Sequence, residues 1–252
     1  MDNTKEIIKS QNAGKPVRLN KYLSDCGVCS RRQADRLIKD GEILVNEKKA
    51  VLGTQVKKGD RVEYQGKEIR PADDFVLIAF NKPRGIECTT DKTNPDNIVD
   101  YIGFESRIFP IGRLDKNSSG LILLTNTGEI SDKILRGSNY HEKEYLVRVD
   151  KPVTDEFLEK MAGGVHILDT VTRPCRVWKT GKHTFKIVLT QGLNRQIRRM
   201  CEALGYNVAV LQRQRIMNIK LGGLETGKWR YVTEKELDIL LKELYDGQGK
   251  KN

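Results

Sequence analysis

Asp115 is a single carboxylate set two residues after Arg113 and directly before Lys116. It lies in residues 111–128, IGRLDKNSSGLILLTNTG, where a polar loop separates two apolar runs. A carboxylate needs no cofactor to act as a nucleophile at a sugar C1′ or as a general base. On these residues alone a second reading stands beside it, because Asp before Asn117-Ser118-Ser119-Gly120 is also ordinary turn chemistry. Another informative stretch, residues 191–200, reads QGLNRQIRRM. Arg195, Arg198 and Arg199 crowd the start of a helix, where cations oppose the helix dipole. An anion meeting them there would explain them; a solvated helix face is the alternative. Residues 191–215 hold five arginines against Glu202 alone, a net +4.

Other chemistries lack their residues. There is no GxxxxGKS/T phosphate loop, no GxGxxG unit and no GxSxG elbow. His141, His166 and His183 are scattered and show no ligand spacing. Cys26 and Cys29 have metal or redox spacing, but a zinc site needs about four ligands and no second pair follows. Five cysteines, odd in number and dispersed, argue against a disulfide framework.

The elements that must position Asp115 follow from periodicity. Leu121 to Leu124 is a short continuous apolar run, which suits a buried strand. Strands are also predicted at 75–80, 143–149, 185–189 and 229–232. Residues 81–85, NKPRG, read as a stiff basic turn, 87–100 as a loop, and 165–178 as extended structure with turns. Helices are predicted at 129–135, from a Thr154 cap through Met161, and after an Asn194 N-cap with Ile197, Met200, Cys201 and Leu204 inward. The last helix opens on a capping box, Thr233 with Glu236, and buries Leu237, Leu240, Leu241 and Leu244.

Residues 16–70 form a separate module. Leu19, Tyr22, Leu23 and Cys26 make one helix face, ended by Gly27. Ser30 with Gln33 opens a second helix that Gly41 closes. A strand at 43–46, a turn at 47–49, a short strand around Val51 and a strand at 61–64 complete it. The module carries thirteen Lys/Arg against eight Asp/Glu, a net +5. Arg18, Lys21, Arg31, Arg32, Arg36 and Lys39 fall on the helix pair. They are either a solvated face or a phosphate-contacting surface.

The whole chain has 252 residues, 38% hydrophobic and 31% charged, with net charge +11. That balance favours a polyanionic partner. No run reaches the ~18 apolar residues of a membrane span, and no secretory signal is visible, so the expectation is a soluble cytoplasmic protein without membrane partners.

Two resemblances add to this. VRLNKYLSDCGVCSRRQADRLIKDGEILVN, residues 17–46, resembles the S4 RNA-binding domain. The motifs NKPRG at 81–85, GRLD at 112–115 followed by SSGLILLTN, KEY at 143–145 and GLNRQIRRM at 192–200 resemble the pseudouridine synthases, in the RsuA/RluB/RluE/RluF branch. No motif position departs from the pattern. The resemblance implies an α+β fold: a small N-terminal S4 domain of αL type, 16–72, and a catalytic domain with a mixed or antiparallel sheet, 75–246. Flexible tails at 1–15 and 247–252 flank them.

It further implies isomerisation of a uridine in ribosomal RNA, 23S rRNA near the peptidyl-transferase centre, by a monomer that needs no cofactor or metal. Transfer RNA is a possible second substrate class. Asp115 would detach uracil from ribose, Tyr145 stack on it, Arg198 pair with Asp115, and Arg113 and Lys82 bind the substrate. Arg195 and Arg199 would join the six basic residues of the first module in holding RNA. Two rivals stay open on the residues: a non-enzymatic S4 protein bound to ribosomal RNA, and a glycosidase-type enzyme on nucleosides, which needs paired carboxylates.

Overall fold

The computed structural model describes residues 15–71, 75–136 and 140–245. The tails predicted at 1–15 and 247–252 lie outside the described residues apart from Lys15, as does most of the expected boundary at 71–74. The chain forms two compact units. The first runs to Val76 and also takes in Glu105–Ile108 and Asn126–Gly128.

The first unit contains β1 (Val17–Arg18), α1 (Leu19–Asp25), α2 (Arg31–Lys39), β2 (Ile43–Val45), β3 (Lys48–Lys49), β4 (Gln55–Val56), β5 (Val62–Tyr64) and β6 (Lys67–Glu68). The Ser30 hydroxyl accepts from the Gln33 N–H at 3.3 Å and opens α2. Leu19 and Leu23 of α1 meet Ala34 and Ile38 of α2, with Ile43 and Val62 from the sheet. The sheet order is β3-β2-β5-β6. The predicted turn at 47–49 is displaced. Asn46 and Glu47 both take positive φ, 50° and 65°, which makes a two-residue hairpin turn. Lys48 and Lys49 therefore return as β3 opposite Val45 and Leu44. Val51 lies outside any strand and is 69% exposed.

The second unit contains β7 (Leu77–Lys82), α3 (Ile98–Ile102), β8 (Phe109–Pro110), β9 (Ser119–Thr125), α4 (Gly128–Leu135, all but its first residue), β10 (Lys143–Val149), α5 (Asp155–Gly163), β11 (His166–Ile167), β12 (Thr170–Val171), β13 (Arg176–Gly181), β14 (Thr184–Leu189), α6 (Gln196–Ala203), β15 (Val208–Ile216), β16 (Ile219–Lys220), β17 (Trp229–Tyr231) and α7 (Glu234–Tyr245). A nine-stranded sheet runs β13-β14-β10-β15-β9-β7-β17, with β16 on β15 and β8 on β9. Only the β15–β9 pair is parallel, so the architecture is α+β with a mixed, mainly antiparallel sheet. Val147, Phe185, Ile187 and Leu211 of the sheet pack with Phe157 and Met161 of α5 and Ile197 and Met200 of α6.

Three features differ from the sequence reading. First, β7 continues through Asn81 and Lys82, both buried, so these two residues are strand and not turn. Second, α3 interrupts the expected loop at 87–100. It is short, but Asn97 caps it by accepting from the Asp100 N–H at 2.8 Å. Third, β15, nine residues long, had no counterpart in the reading. Its pairing with β10 shifts register twice: Tyr145 faces Arg213 while Glu144 faces Arg215, and Arg148 faces Val210 while Val149 faces Val208. Gln214 and Ala209 are thus bulged, which breaks the two-residue alternation that marks a strand.

Candidate active site

The Asp115 loop is held from several sides. Ile111 N donates to Leu123 O at 2.7 Å, Leu114 N to Cys88 Sγ at 3.3 Å, and Ser118 N to Asp115 O at 2.9 Å. Lys82, fully buried at the end of β7, donates through Nζ to Pro83 O at 2.8 Å, Ile86 O at 2.6 Å and Lys116 O at 3.5 Å. Burial pushes its ammonium below the ordinary lysine range, while nearby Cys88 and Asp115 work the other way. These contacts to carbonyls let Lys82 tie the 83–86 turn to the Asp115 loop. Its ammonium, expected at the substrate, lies on this cluster of backbone carbonyls.

Asp115 meets two arginines. Its Oδ2 lies 3.8 Å from Arg198 Nε and 3.9 Å from Arg195 Nη1. Arg198 is set rigidly: Nη1 donates to Val208 O, and Nη2 to Asn117 O and Ser118 Oγ, each at 3.2 Å. Its Nε is buried without a hydrogen-bond acceptor. Burial and the Arg195 charge lower the Arg198 pKa, with Asp115 opposing. Arg198 thus lies beside Asp115, where the resemblance puts it, and Arg195, expected only at RNA, lies as near. Asn194 does not cap α6. Arg195 holds that place in the left-handed conformation, φ 49° and ψ 34°, with no side-chain cap. The adjoining turn is fixed instead by buried Gln196, whose Oε1 accepts from Leu193 N at 3.1 Å. Arg199 donates to Asn194 O at 3.1 Å and to its Oδ1 at 3.4 Å, so it braces this loop. Lys116, adjacent in sequence, pairs with Asp96 at 2.7 Å and Glu87 at 3.5 Å and leaves Asp115 alone.

A cavity of about 540 Å³ opens beside Asp115, the size of small-molecule sites. Asp115 is the one acid on its wall; Arg113, Arg136, Lys143, Arg195 and Arg213 are the lysine and arginine cations, His141 adds an imidazole and Tyr145 a phenol ring. Burial, and secondarily Arg213, push the Lys143 ammonium down to about 8. Neither Lys143 nor Arg213 is marked as a site residue by the sequence. Lys143 is visible in hindsight, two residues before Tyr145 on a strand. Arg213 belongs to no motif and comes into the site only through strand register. Cys26 is a thiol pushed up to about 12 by burial, and Cys29 is raised by burial too, so neither is poised to react.

Residues 76–203 match the family described as RNA pseudouridylate synthase, and residues 17–62 the S4 domain. The chain is 57% identical over 228 residues to the dual-specificity RNA pseudouridine synthase RluF of Escherichia coli (strain K12), covering 90% of this chain and 79% of the relative. The chain belongs to the RNA pseudouridylate synthase family. A second relative, ribosomal large subunit pseudouridine synthase B of Bacillus subtilis (strain 168), is 36% identical over 232 residues, 88% of this chain and 95% of that one. A solved crystal structure of a pseudouridylate synthase superposes with TM-score 0.66 at 26% identity, over 89% of this chain and 99% of that one. A pseudouridine synthase is an enzyme, which removes the non-enzymatic S4 rival. The nucleoside glycosidase rival needs two placed acids, and this synthase has one on its cavity wall.

Proposed function

We propose that this pseudouridine synthase isomerises a specific uridine of ribosomal RNA, in the 23S molecule near the peptidyl-transferase centre, with Asp115 as the group that detaches uracil from ribose. The observation that carries the reading is Asp115 Oδ2 between Arg195 and Arg198, on the wall of a cavity shared with Tyr145. The names of the relatives, one an RNA enzyme of dual specificity and one of the large ribosomal subunit, support the substrate class. Dual specificity also agrees with transfer RNA as a second substrate.

A uridine in folded RNA leaves its stack at a cost of a few kcal/mol. Stacking on Tyr145 returns ~1–3 kcal/mol, and exposed Arg113 holds the extruded nucleotide at the rim. Asp115 attacks C1′ and the C1′–N1 electrons leave with the uracil. The ring turns, C5 bonds to C1′, and the carboxylate is released. C5 then loses its proton and N1 gains one, so atoms balance without an energy source. In the first unit Arg18, Lys21, Arg31, Arg32, Arg36 and Lys39 hold phosphates. Arg18, Arg31, Arg32, Arg36 and Lys39 are exposed, whereas Lys21 is already paired with Asp25 at 2.7 Å and contributes least.

Asp115→Asn should abolish tritium release from 5-tritiated uridine in rRNA while leaving RNA binding within about twofold. Undiminished release would overturn the assignment. Chemical mapping of pseudouridines in total RNA from cells with and without the gene then identifies the uridine.

A further inference from the structure

Arg213 is a buried cation with too few partners. It is 3% exposed, its Nε donates to Leu121 O at 2.6 Å, and its Nη2 is buried with no acceptor. Among the described residues no carboxylate pairs with it. Burying a guanidinium without a counter-charge is costly, so such a group marks a place where an acceptor belongs.

Strand register supplies the place. Arg213 faces Tyr145 across β15 and β10, so the two side chains stand on one face of the sheet about 5 Å apart. Lys143, two residues before Tyr145, shares that face. The bulge at Gln214 makes this possible, because it turns Arg215 to the other face, where it pairs with Glu144 at 3.3 Å and Glu142 at 2.9 Å. Gly120 lets β15 come close: a Cβ there would lie 2.3 Å from Arg213 O and 2.6 Å from Arg213 N. Arg213, Lys143, Tyr145 and Asp115 all line the one cavity.

We propose that Arg213 reads the uracil ring: its guanidinium donates to a ring carbonyl oxygen and holds the negative charge that arrives there when the C1′–N1 bond breaks. The inference rests on the isomerase reading above. When Asp115 bonds to C1′, the electron pair of the broken bond passes into the ring and spreads over N1, O2 and O4. A donor beside the stacked ring meets that charge as it forms, and Lys143 adds a second cation beside it. A fixed donor aimed at O4 would also reject cytidine, which presents an amino group in its place. Loss of a good acceptor from a buried donor is felt strongly.

The test is a thio-substitution cycle on a synthetic rRNA stem-loop carrying the mapped uridine, either unmodified or as 2-thiouridine or 4-thiouridine. Single-turnover isomerisation is followed by chromatography of digested nucleosides for wild type, Arg213→Met and Arg213→Lys. Sulfur is the weaker acceptor. Wild type should slow roughly tenfold or more on one of the two thio RNAs, and Arg213→Met should show little of that penalty. The melting temperature of free Arg213→Met should be no lower than wild type, because an unpaired buried charge has been removed. A variant that melts normally and shows no turnover at all also supports the contact. Equal thio penalties in wild type and variants, or none in wild type, would overturn it. So would a variant that melts well below wild type yet turns over normally per folded molecule. Absence of wild-type turnover on the unmodified stem-loop would instead sink the isomerase reading and this inference with it.

Discussion

Lys143 is the one lysine on the cavity wall, and burial brings its ammonium toward neutrality. Burial and Arg213 push its ammonium from 10.5 to about 8. Below pH 8 it is a cation in the folded and the unfolded chain, and the folded chain bears the desolvation cost. Between about 8 and the unfolded value near 10.4 the unfolded chain binds the extra proton, so stability rises with pH. The full shift corresponds to on the order of 3 kcal/mol. Lys143→Met should therefore melt above wild type below pH 8, and the gap should close as pH approaches 10. Parallel melting curves for the two proteins across that window would show that Lys143 is not desolvated in the free enzyme. Arg195 carries a cost of a different kind. A non-glycine residue in the left-handed region is strained by roughly 1–3 kcal/mol, and here the strained residue is one of the two cations beside Asp115.

At the scale of elements, the contact of β15 with β9 decides whether the site exists. The two strands meet over Gln212 with Ser119 and Arg213 with Gly120, at the end of the Asp115 loop. Gly120 sits at φ 102°, where side chains are rarely tolerated, and a Cβ would collide with the Arg213 backbone rather than with a yielding side chain. Gly120→Ala should cost about 3 kcal/mol or more in urea unfolding, and it should lower turnover beyond the loss of folded protein. A change below about 0.5 kcal/mol would show that the strands do not press together at this point. The closing helix α7 shows the opposite case, an element secured by local chemistry. Thr233 N donates to Glu236 Oε2 at 3.0 Å and Glu236 N to Thr233 Oγ1 at 3.3 Å, a complete capping box.

For the whole molecule, the net charge of +11 acts through where it is exposed. Removing Arg32 and Arg36 together by alanine should weaken rRNA binding and lower the slope of log affinity against log salt by about one per lost phosphate contact. Both residues are exposed on α2, so the melting temperature should not move. An unchanged slope would mean that this face does not touch phosphate. Point substitution is a cleaner test than deleting the first seventy residues, because Glu105–Ile108 and Asn126–Gly128 belong to the same compact unit. Arg107, for instance, donates to Ser24 O at 3.1 Å.

What the sequence determined by itself was whatever rests on local pattern. The S4 helix pair, the caps at Ser30, Thr154 and Thr233, and strands β9, β10 and β14 follow from periodicity and capping within a few residues of chain. Asp115, Tyr145 and Arg198 were singled out through motifs that resemble a family's, and the structure brings Tyr145 and Arg198 near Asp115. The tertiary structure alone brought Arg195 to Asp115 and took Lys116 away from it. Lys116 is adjacent in sequence and turns away to Asp96, whereas Arg195 and Arg198 arrive from about eighty residues on. Lys82 looked available and is buried, because β7 runs two residues further than its apolar run. Arg213 was invisible because a bulge sets which face it occupies, and a bulge depends on the partner strand. Side-chain direction along a regular element is a property of neighbours in sequence; contact between strands 70 or 90 residues apart is a property of the packed sheet.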